Sequence, residues 1–315
     1  MKRLAGRVLA ALVIASFPLG ASAANGWAWD SVTKISMDTD TGTLQPGNFD
    51  SDFAAAAAAQ PADQQSGGGI FNQIHQAMGM GAQLQQMMQT GFAERHYLAG
   101  SKERTDDVAR QTATIVDCAA RTVTTLDLRA KTYSVSSMDR PQTAAPGGAP
   151  GSPGTQRDDA TKVSVAVSNS ALGPLQLGGQ STDGYRSQMT ITETSASGES
   201  RTQNGELLAY FSALPMPDAN CAPNSAMPGP RAAMMAGYAR VMRALSSAGT
   251  DSRFSLKQSG PPLPRGRMTM YDAFTFGAQG RGATFITERG NVRAIGPDDP
   301  VFAIPAGFTQ VSASP

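Results

Sequence analysis

The sequence contains little charge and few aromatic side chains. Asp, Glu, Lys and Arg make up 16% of the 315 residues, and Phe, Trp and Tyr make up 6%, whereas charged residues average about 25% of a soluble protein. The 26 basic residues nearly balance the 25 acidic ones. The chain therefore lacks the excess positive charge that nucleic acids or anionic membranes attract, and we expect no nucleic-acid partner.

Long hydrophobic runs are also scarce. The apolar run Val8–Leu19 is about a dozen residues long, shorter than the roughly 20 residues that a membrane-spanning helix needs. It follows a basic start, residues 1–7, and precedes Ala21-Ser22-Ala23, a small-x-small cleavage pattern. The pattern predicts a signal peptide, residues 1–23, that is cleaved after Ala23. We expect a protein exported to the periplasm with no integral membrane segment.

Only two cysteines are present, Cys118 and Cys221. In an exported chain an even number of thiols usually forms disulfides, so we predict a Cys118–Cys221 disulfide. Two buried thiols or a pair of metal ligands are the alternatives, and the second is disfavoured because no Cys-x-x-Cys motif occurs.

Catalytic motifs are missing as well. The chain has no Gly-x-Ser-x-Gly elbow, no His-Glu-x-x-His motif, no phosphate-binding loop and no dinucleotide fingerprint after a strand. His75 and His96 are its two histidines. Asp117 and Asp127 lie in neighbouring predicted strands, where solvated strand-end carboxylates are commoner than an acid–base pair. We expect no enzyme activity and predict no catalytic residue, resident metal or cofactor.

The abundant residues favour strands and turns. Glycine occurs 33 times and proline 20 times, and apolar and polar residues alternate in many short segments, as in half-buried strands. No internal repeat is evident among these segments. The predicted strands are 31–37, 91–98, 112–118, 122–128, 132–135, 163–168, 189–192, 206–211, 268–276, 283–287, 291–295 and 309–312.

Other segments interrupt the strands. Residues 38–69 are rich in Asp, Gly, Gln and Ala without a sustained period, which predicts a mostly irregular, flexible segment. Apolar residues at helical spacing predict amphipathic helices over 70–88 and 234–245. The Pro- and Gly-rich stretch 141–156 predicts a surface insertion. We therefore divide the mature chain into an N-terminal strand and flexible segment, 24–69, and a single half-barrel domain, 70–315.

Several segments in this order resemble a periplasmic family related to the lipoprotein-carrier (LolA-like) superfamily. They are residues 94–102, 114–117, 122–133, the turn 178–186 and the closing segment 302–308, and the resemblance spans about 92–311. It implies an α+β, mainly β fold, in which an antiparallel sheet is curled into an unclosed barrel with helices covering its open side. The implied activity is the holding of an apolar moiety, and no functional residue is transferred from the family.

We therefore expect a periplasmic binding or carrier protein that holds a hydrophobic ligand, such as an acyl chain or another lipid-like molecule, in a concave sheet. The same side chains would also form an ordinary dry core, and the alternative is a structural or interaction protein of the envelope without cargo. No protein partner is predicted. The candidate ligand-binding residues are Ile115, Leu126, Val165, Met189, Ile191, Met242, Phe274 and Phe276.

A third hypothesis rests on a cluster of soft ligands in the first predicted helix. His75, Met78, Met80, Met87 and Met88 lie close together in sequence, and thioether and imidazole groups suit Cu(I). Methionine as adaptable apolar filler is the commoner explanation of such a segment.

Overall fold

Most of the described chain belongs to one β-sheet. The computed structural model describes residues 26–36, 45–59, 85–86, 88–138, 162–195, 197–216, 254–278 and 281–312. Its strands are β1 (Gly26–Ser36), β2 (Phe92–Ala99), β3 (Lys102–Asp107), β4 (Thr112–Asp117), β5 (Thr122–Asp127), β6 (Thr132–Ser137), β7 (Lys162–Leu177), β8 (Gln180–Thr194), β9 (Ser200–Pro215), β10 (Phe254–Ser259), β11 (Arg267–Ala278), β12 (Arg281–Ile295) and β13 (Thr309–Gln310). The helix α1 (Phe49–Ala58) and a 3-10 turn, η1 (Pro300–Phe302), complete these elements.

The thirteen strands form a single sheet in the order β10-β7-β8-β9-β11-β12-β1-β2-β3-β4-β5-β6-β13. Neighbouring strands are antiparallel except for the pairs β10–β7 and β13–β6. The first strand, β1, lies between β12 and β2 and so joins the two halves of the sheet. The predicted fold class is confirmed: the protein is mainly β, and its one large sheet is not closed into a barrel.

Strands β3 to β6 repeat every ten residues, which the sequence analysis missed. Each strand has six residues, and each of the three connections has four. The strand-ending carboxylates of Asp107, Asp117 and Asp127 accept backbone N–H bonds at 2.7–2.9 Å from the residue three positions later. The fourth turn residue, Gln111, Arg121 or Lys131, has a positive φ of 53–54°. A shared turn geometry therefore produces this repeat.

Strand β3 was not predicted because its sequence, Lys-Glu-Arg-Thr-Asp-Asp, is almost entirely charged. The sheet accommodates these charges by pairing them. Arg104 is buried, binds both carboxylate oxygens of Asp106 at 2.6 and 3.1 Å, and donates to the Val301 carbonyl at 2.7 Å. Ion pairs and hydrogen bonds of this kind allow charged side chains to lie in a sheet. A search for alternating apolar and polar residues does not find such a strand. Strand β10, at one edge of the sheet, was also missed.

Two predicted strands, 283–287 and 291–295, are one strand in the structure, β12. In the structure Gly290 pairs with Asp30, and Asn291 and Val292 form a bulge opposite Trp29. Asn291 has a positive φ of 53°, and its amide donates to Asp30 at 2.9 Å. A bulge of this kind accommodates one extra residue, and the strand continues beyond it.

The prediction that residues 38–69 are mostly irregular is wrong for 49–58, which form α1. Asn48 caps this helix, because its side chain accepts the Ser51 N–H, and Asp50 and Asp52 occupy the first turn. Alanine has the highest helix propensity but gives no polar–apolar period, so the tract Ala54–Ala59 carried no recognisable pattern. The helix is held to the sheet by contacts of Phe49, Phe53, Ala56 and Ala57 with Val32 and Ala93.

Residues opposite one another on paired strands point to the same face of a sheet. One face, here called the helical face, includes Val32 and Ala93 and is covered by α1. Phe302 of η1 and Phe308 also pack on this face, against buried groups that include Ile295 and Ile115. The opposite face includes Trp29 and His96.

Three predicted segments fall wholly or mostly outside the described residues. These are the helix over 234–245, the insertion 141–156 and the helix over 70–88, of which short helical stretches at 85–86 and 88–89 are described. In the described part of the chain, no helix is both long and apolar enough to cross a membrane.

Candidate ligand-binding cleft

A cleft of about 540 Å³ lies where three segments meet on β11 and β12. This volume is within the 300–1,000 Å³ typical of small-molecule sites. Its lining comes from the approach to α1 (46–50), the end of β7 and its turn (176–179), and the strands themselves (270–271, 288–289 and 291–292). We call this space the central cleft.

Two glycines allow these segments to approach closely. Gly178 and Gly179 form the two-residue β7–β8 turn with φ of 53° and 76°, as such tight hairpins require. A Cβ on Gly178 would lie only 3.2 Å from Met270 Cε, and one on Gly290 would occupy the space of the Phe49 ring. The lack of a side chain at Gly178 and Gly290 therefore lets the β7–β8 turn and Phe49 lie close to β11 and β12.

The apolar part of the lining consists of Phe49, Leu177, Met270 and Val292. Leu177, Met270 and Val292 belong to a core cluster with Trp29. Because a packed core supports these side chains, the apolar wall of the central cleft is held in place before any ligand arrives.

Two polar groups oppose each other in the cleft. Tyr271 and Glu288 are direct cross-strand partners in β11 and β12, with exposures of 1% and 7%. Glu288 Oε1 accepts the Gly47 N–H at 3.2 Å. Among the described residues, the Tyr271 hydroxyl has no hydrogen-bond partner, which is uncommon for a buried polar group.

Burial governs the protonation of this pair. It raises the pKa of the Tyr271 hydroxyl, and the nearby Glu288 carboxylate adds to the increase, so Tyr271 stays protonated. Burial also raises the pKa of Glu288, against the effect of the Gly47 N–H bond.

Among the described residues, the central cleft offers little free positive charge. Arg289 is the cation of its lining, and its Nη1 already binds Asp272 Oδ1 at 2.7 Å and Thr269 Oγ1 at 2.6 Å. The lining carboxylates are Asp50 and Glu288. The electrostatics therefore favour neutral ligand groups over anionic ones.

A second polar cluster surrounds His96, on the face of the sheet that includes Trp29. The imidazole stacks on Trp29 with ring centres 5.1 Å apart. Its Nε2 lies 2.9 Å from Ser31 Oγ and 3.2 Å from Glu94 Oε2, and its Nδ1 lies 3.5 Å from Thr105 Oγ1. In a Ser-His-acid triad the acid holds the nitrogen remote from the serine, so this cluster does not have triad geometry.

Burial, assisted by Arg289, lowers the pKa of His96 to about 4. The carboxylates of Glu103, Asp30 and Asp106 favour the charged ring, but burial and Arg289 outweigh them. His96 is therefore neutral at pH 7.

The candidate ligand-binding residues do not form one pocket in the structure. The pairings Val165–Ile191 and Phe274–Phe285 place Val165, Met189, Ile191, Phe274 and the backbone position of Phe276 on the same face as Trp29. Ile115 and Leu126 lie on the helical face, in a cluster covered by Phe308. Met242 lies outside the described residues, and none of the other seven lines the central cleft.

The structure also locates some of the other residues that the sequence singled out, namely carboxylates, cysteines and possible copper ligands. Asp117 and Asp127 lie at opposite ends of the β4–β5 pair, roughly 17 Å apart along the strands, and each stabilises its own turn. They are the strand-end carboxylates that the sequence favoured. Cys118 follows β4, but Cys221 lies outside the described residues, so the disulfide stays a prediction. Of the five possible copper ligands, only the exposed Met88 is described.

Sequence reasoning missed Tyr271 and Glu288. The Gly178-Gly179 turn was recognised, but the opposition of these two polar residues is a consequence of strand register. No family model matches the chain, and no curated protein is significantly similar to it.

Proposed function

We propose that this protein is a periplasmic binding or carrier protein and not an enzyme. It holds a ligand with an apolar body in the central cleft. The observation that carries the proposal is a ligand-sized space on the sheet, lined by four apolar side chains and by a few polar residues that include Tyr271 and Glu288. A few placed polar groups in an apolar lining are typical of small-molecule sites.

The proposal keeps the predicted class of ligand but changes its location. An acyl chain gains about 0.8 kcal/mol for each methylene that it buries, so even a partly buried chain offsets some of the cost of association. The signal-peptide pattern and the resemblance to the lipoprotein-carrier superfamily support an exported, non-catalytic carrier.

Titration with the neutral, polarity-sensitive dye Nile red tests this site. Gln176 is exposed and lines the cleft, so Gln176→Trp fills the space without disturbing the core. We expect saturable binding to the wild type and at least about tenfold weaker binding to the variant. Leu175→Trp is the matched control, because Leu175 is an exposed neighbour outside the cleft lining, and its affinity should match the wild type.

Native mass spectrometry of protein purified from the periplasm distinguishes the alternatives. Co-purified lipid-like mass supports the proposal. If neither bound lipid nor saturable dye binding is found, the cargo-free envelope protein becomes the better explanation. A bound copper ion instead would favour the Met- and His-rich segment.

A further inference from the structure

We propose that residues 45–58 form a lid over the central cleft, and that a ligand enters and leaves when this lid moves away from β12. The lid consists of the approach to α1 and of α1 itself. This inference rests on the proposed function and concerns access to the same site.

The lid supplies one wall of the central cleft. Residues 46–50 line the cleft, and the other lining residues belong to the β7–β8 hairpin or to β11 and β12. Ladders of paired residues fix the hairpin and the two strands within the sheet. The lid lies outside the strand order of that sheet, so this wall can move without breaking any strand pairing.

The apolar attachment of the lid is small. Within the ten residues of α1, only Ala56 is buried. Phe49 and Phe53 remain partly exposed where they pack on Val32 and Ala93. An element with little buried apolar surface opens at a lower free-energy cost than the core strands do, as the lids of binding sites must.

The polar attachment combines attraction with repulsion. The Gly47 N–H donates to Glu288 Oε1 at 3.2 Å, and Asp52 of α1 forms an ion pair with Lys34 of β1. A Cβ on Gly47 would lie 2.8 Å from Asp52 Oδ2 and 3.0 Å from Glu288 Oε1, so the two carboxylates lie within about 6 Å of each other, close enough to repel.

The electrostatics of Glu288 reflect the same balance. Burial, and then Asp52, raises the pKa of Glu288, while the Gly47 N–H and Lys34 act in the opposite direction. Lys34 is therefore the cation that offsets the repulsion between the carboxylate of the lid and the carboxylate of the sheet. Its removal should favour the open position of the lid.

Stopped-flow mixing with Nile red tests the lid through Lys34→Met. Lys34 does not line the cleft, so the variant acts on the lid and not on the dye. We expect both the association and the dissociation rate constants to rise by about two- to fivefold, the effect of losing a partly exposed ion pair. Affinity should stay unchanged, because the same opening serves entry and exit.

Arg110→Met is the matched control. Arg110 forms an ion pair of similar exposure with Asp107, at 3.6 Å, and neither residue lines the cleft. Both rate constants should equal those of the wild type in this variant. Lys34→Gln is a second variant that removes the cation, in case Lys34→Met does not fold.

Hydrogen exchange measures the opening without a ligand. In the wild type, the amides of residues 54–58 should exchange at least about tenfold faster than the paired amides of β11 and β12. Lys34→Met should accelerate this exchange. Glu288→Gln should slow it, because the amide removes the repulsion with Asp52 and keeps an oxygen that can accept the Gly47 N–H.

The outcomes separate the lid from the carrier function. If Nile red binds saturably but loss of the Lys34 cation leaves both rate constants unchanged, α1 is a fixed wall and the lid is overturned while the carrier function stands. Protection of residues 54–58 equal to that of β11 and β12 would overturn the lid without any variant. Absence of saturable dye binding to the wild type would overturn both proposals.

Discussion

His96 is a titratable side chain held neutral inside the sheet. Its pKa lies at about 4 instead of 6.5 because burial penalises the charged ring. The unfolded chain therefore takes up a proton at a higher pH than the native protein does. Stability contributed by neutral His96 is complete above pH 6.5, falls as the pH decreases toward 4, and changes no further below that.

We predict that the wild type loses on the order of 3 kcal/mol of unfolding free energy through His96 between these limits. His96→Phe retains an aromatic ring against Trp29 and removes the titration, so its stability should fall less over the same range. Urea denaturation at a series of pH values measures the difference. Parallel curves for the two proteins would contradict the assignment.

Glu288 titrates with the opposite sign, because its pKa is raised by burial. A native carboxyl group that holds its proton more tightly than the unfolded chain contributes stability at low pH, which is lost as the pH rises through the native pKa. Because the pKa of His96 is lowered and the pKa of Glu288 is raised, the two groups impose opposing pH dependences on the same fold.

The strands β3 to β6 depend on their turns as well as on the alternation of apolar and polar residues. Asp127 accepts the backbone N–H groups of Arg129 and Ala130 at 3.0 and 2.7 Å, which fixes the β5–β6 turn. Asp and Asn have this turn-forming ability because their short side chains reach the backbone two or three residues later.

We predict that Asp127→Ala lowers the unfolding free energy by about 1 kcal/mol, the typical net value of such hydrogen bonds. Asp127→Asn keeps a side-chain oxygen and should cost less. Equilibrium denaturation of the two variants checks the order. Equal losses in both would show that the carboxylate charge, and not the turn hydrogen bonds, is responsible.

The sequence predicted the β4–β5 hairpin and the period-two segments of β7, β8 and β9 because their apolar residues alternate. It failed where another effect decided the structure: charge pairing in β3, intrinsic propensity in α1, and a bulge at Asn291 in β12. The central cleft was beyond sequence analysis for a further reason. It joins Gly47 to Glu288, which are 241 positions apart, and only the strand order brings them together.

At the scale of the whole molecule, β1 connects the two halves of the sheet, and a disulfide would add a second long-range connection. Cys118 follows β4, where its N–H donates to the Ser101 carbonyl at 2.9 Å. Closing a loop of about 100 residues to Cys221 would stabilise the fold by about 4–5 kcal/mol on the chain-entropy model.

We predict that the denatured, unreduced protein has no reactive thiols and that reduction exposes two. Cys221→Ser should lower the midpoint of urea denaturation under oxidising conditions and leave it nearly equal to that of the reduced wild type. Two reactive thiols before reduction would rule out the bridge.

The predicted signal peptide ends just before β1, the strand that joins the two halves of the sheet. Gly26, the first residue of β1, pairs with both Ala99 and Ile295, so a cut after Ala23 leaves every pairing of β1 intact. We predict that the mature periplasmic protein begins at Ala24, as N-terminal sequencing would show. Ala23→Arg places a large charged residue at the cleavage site, where a small one is required, and should retain the precursor in the membrane fraction. Ala24→Ser is the control and should be processed normally. Recovery of wild-type protein that still carries residues 1–23 would contradict both the cleavage site and the proposed location.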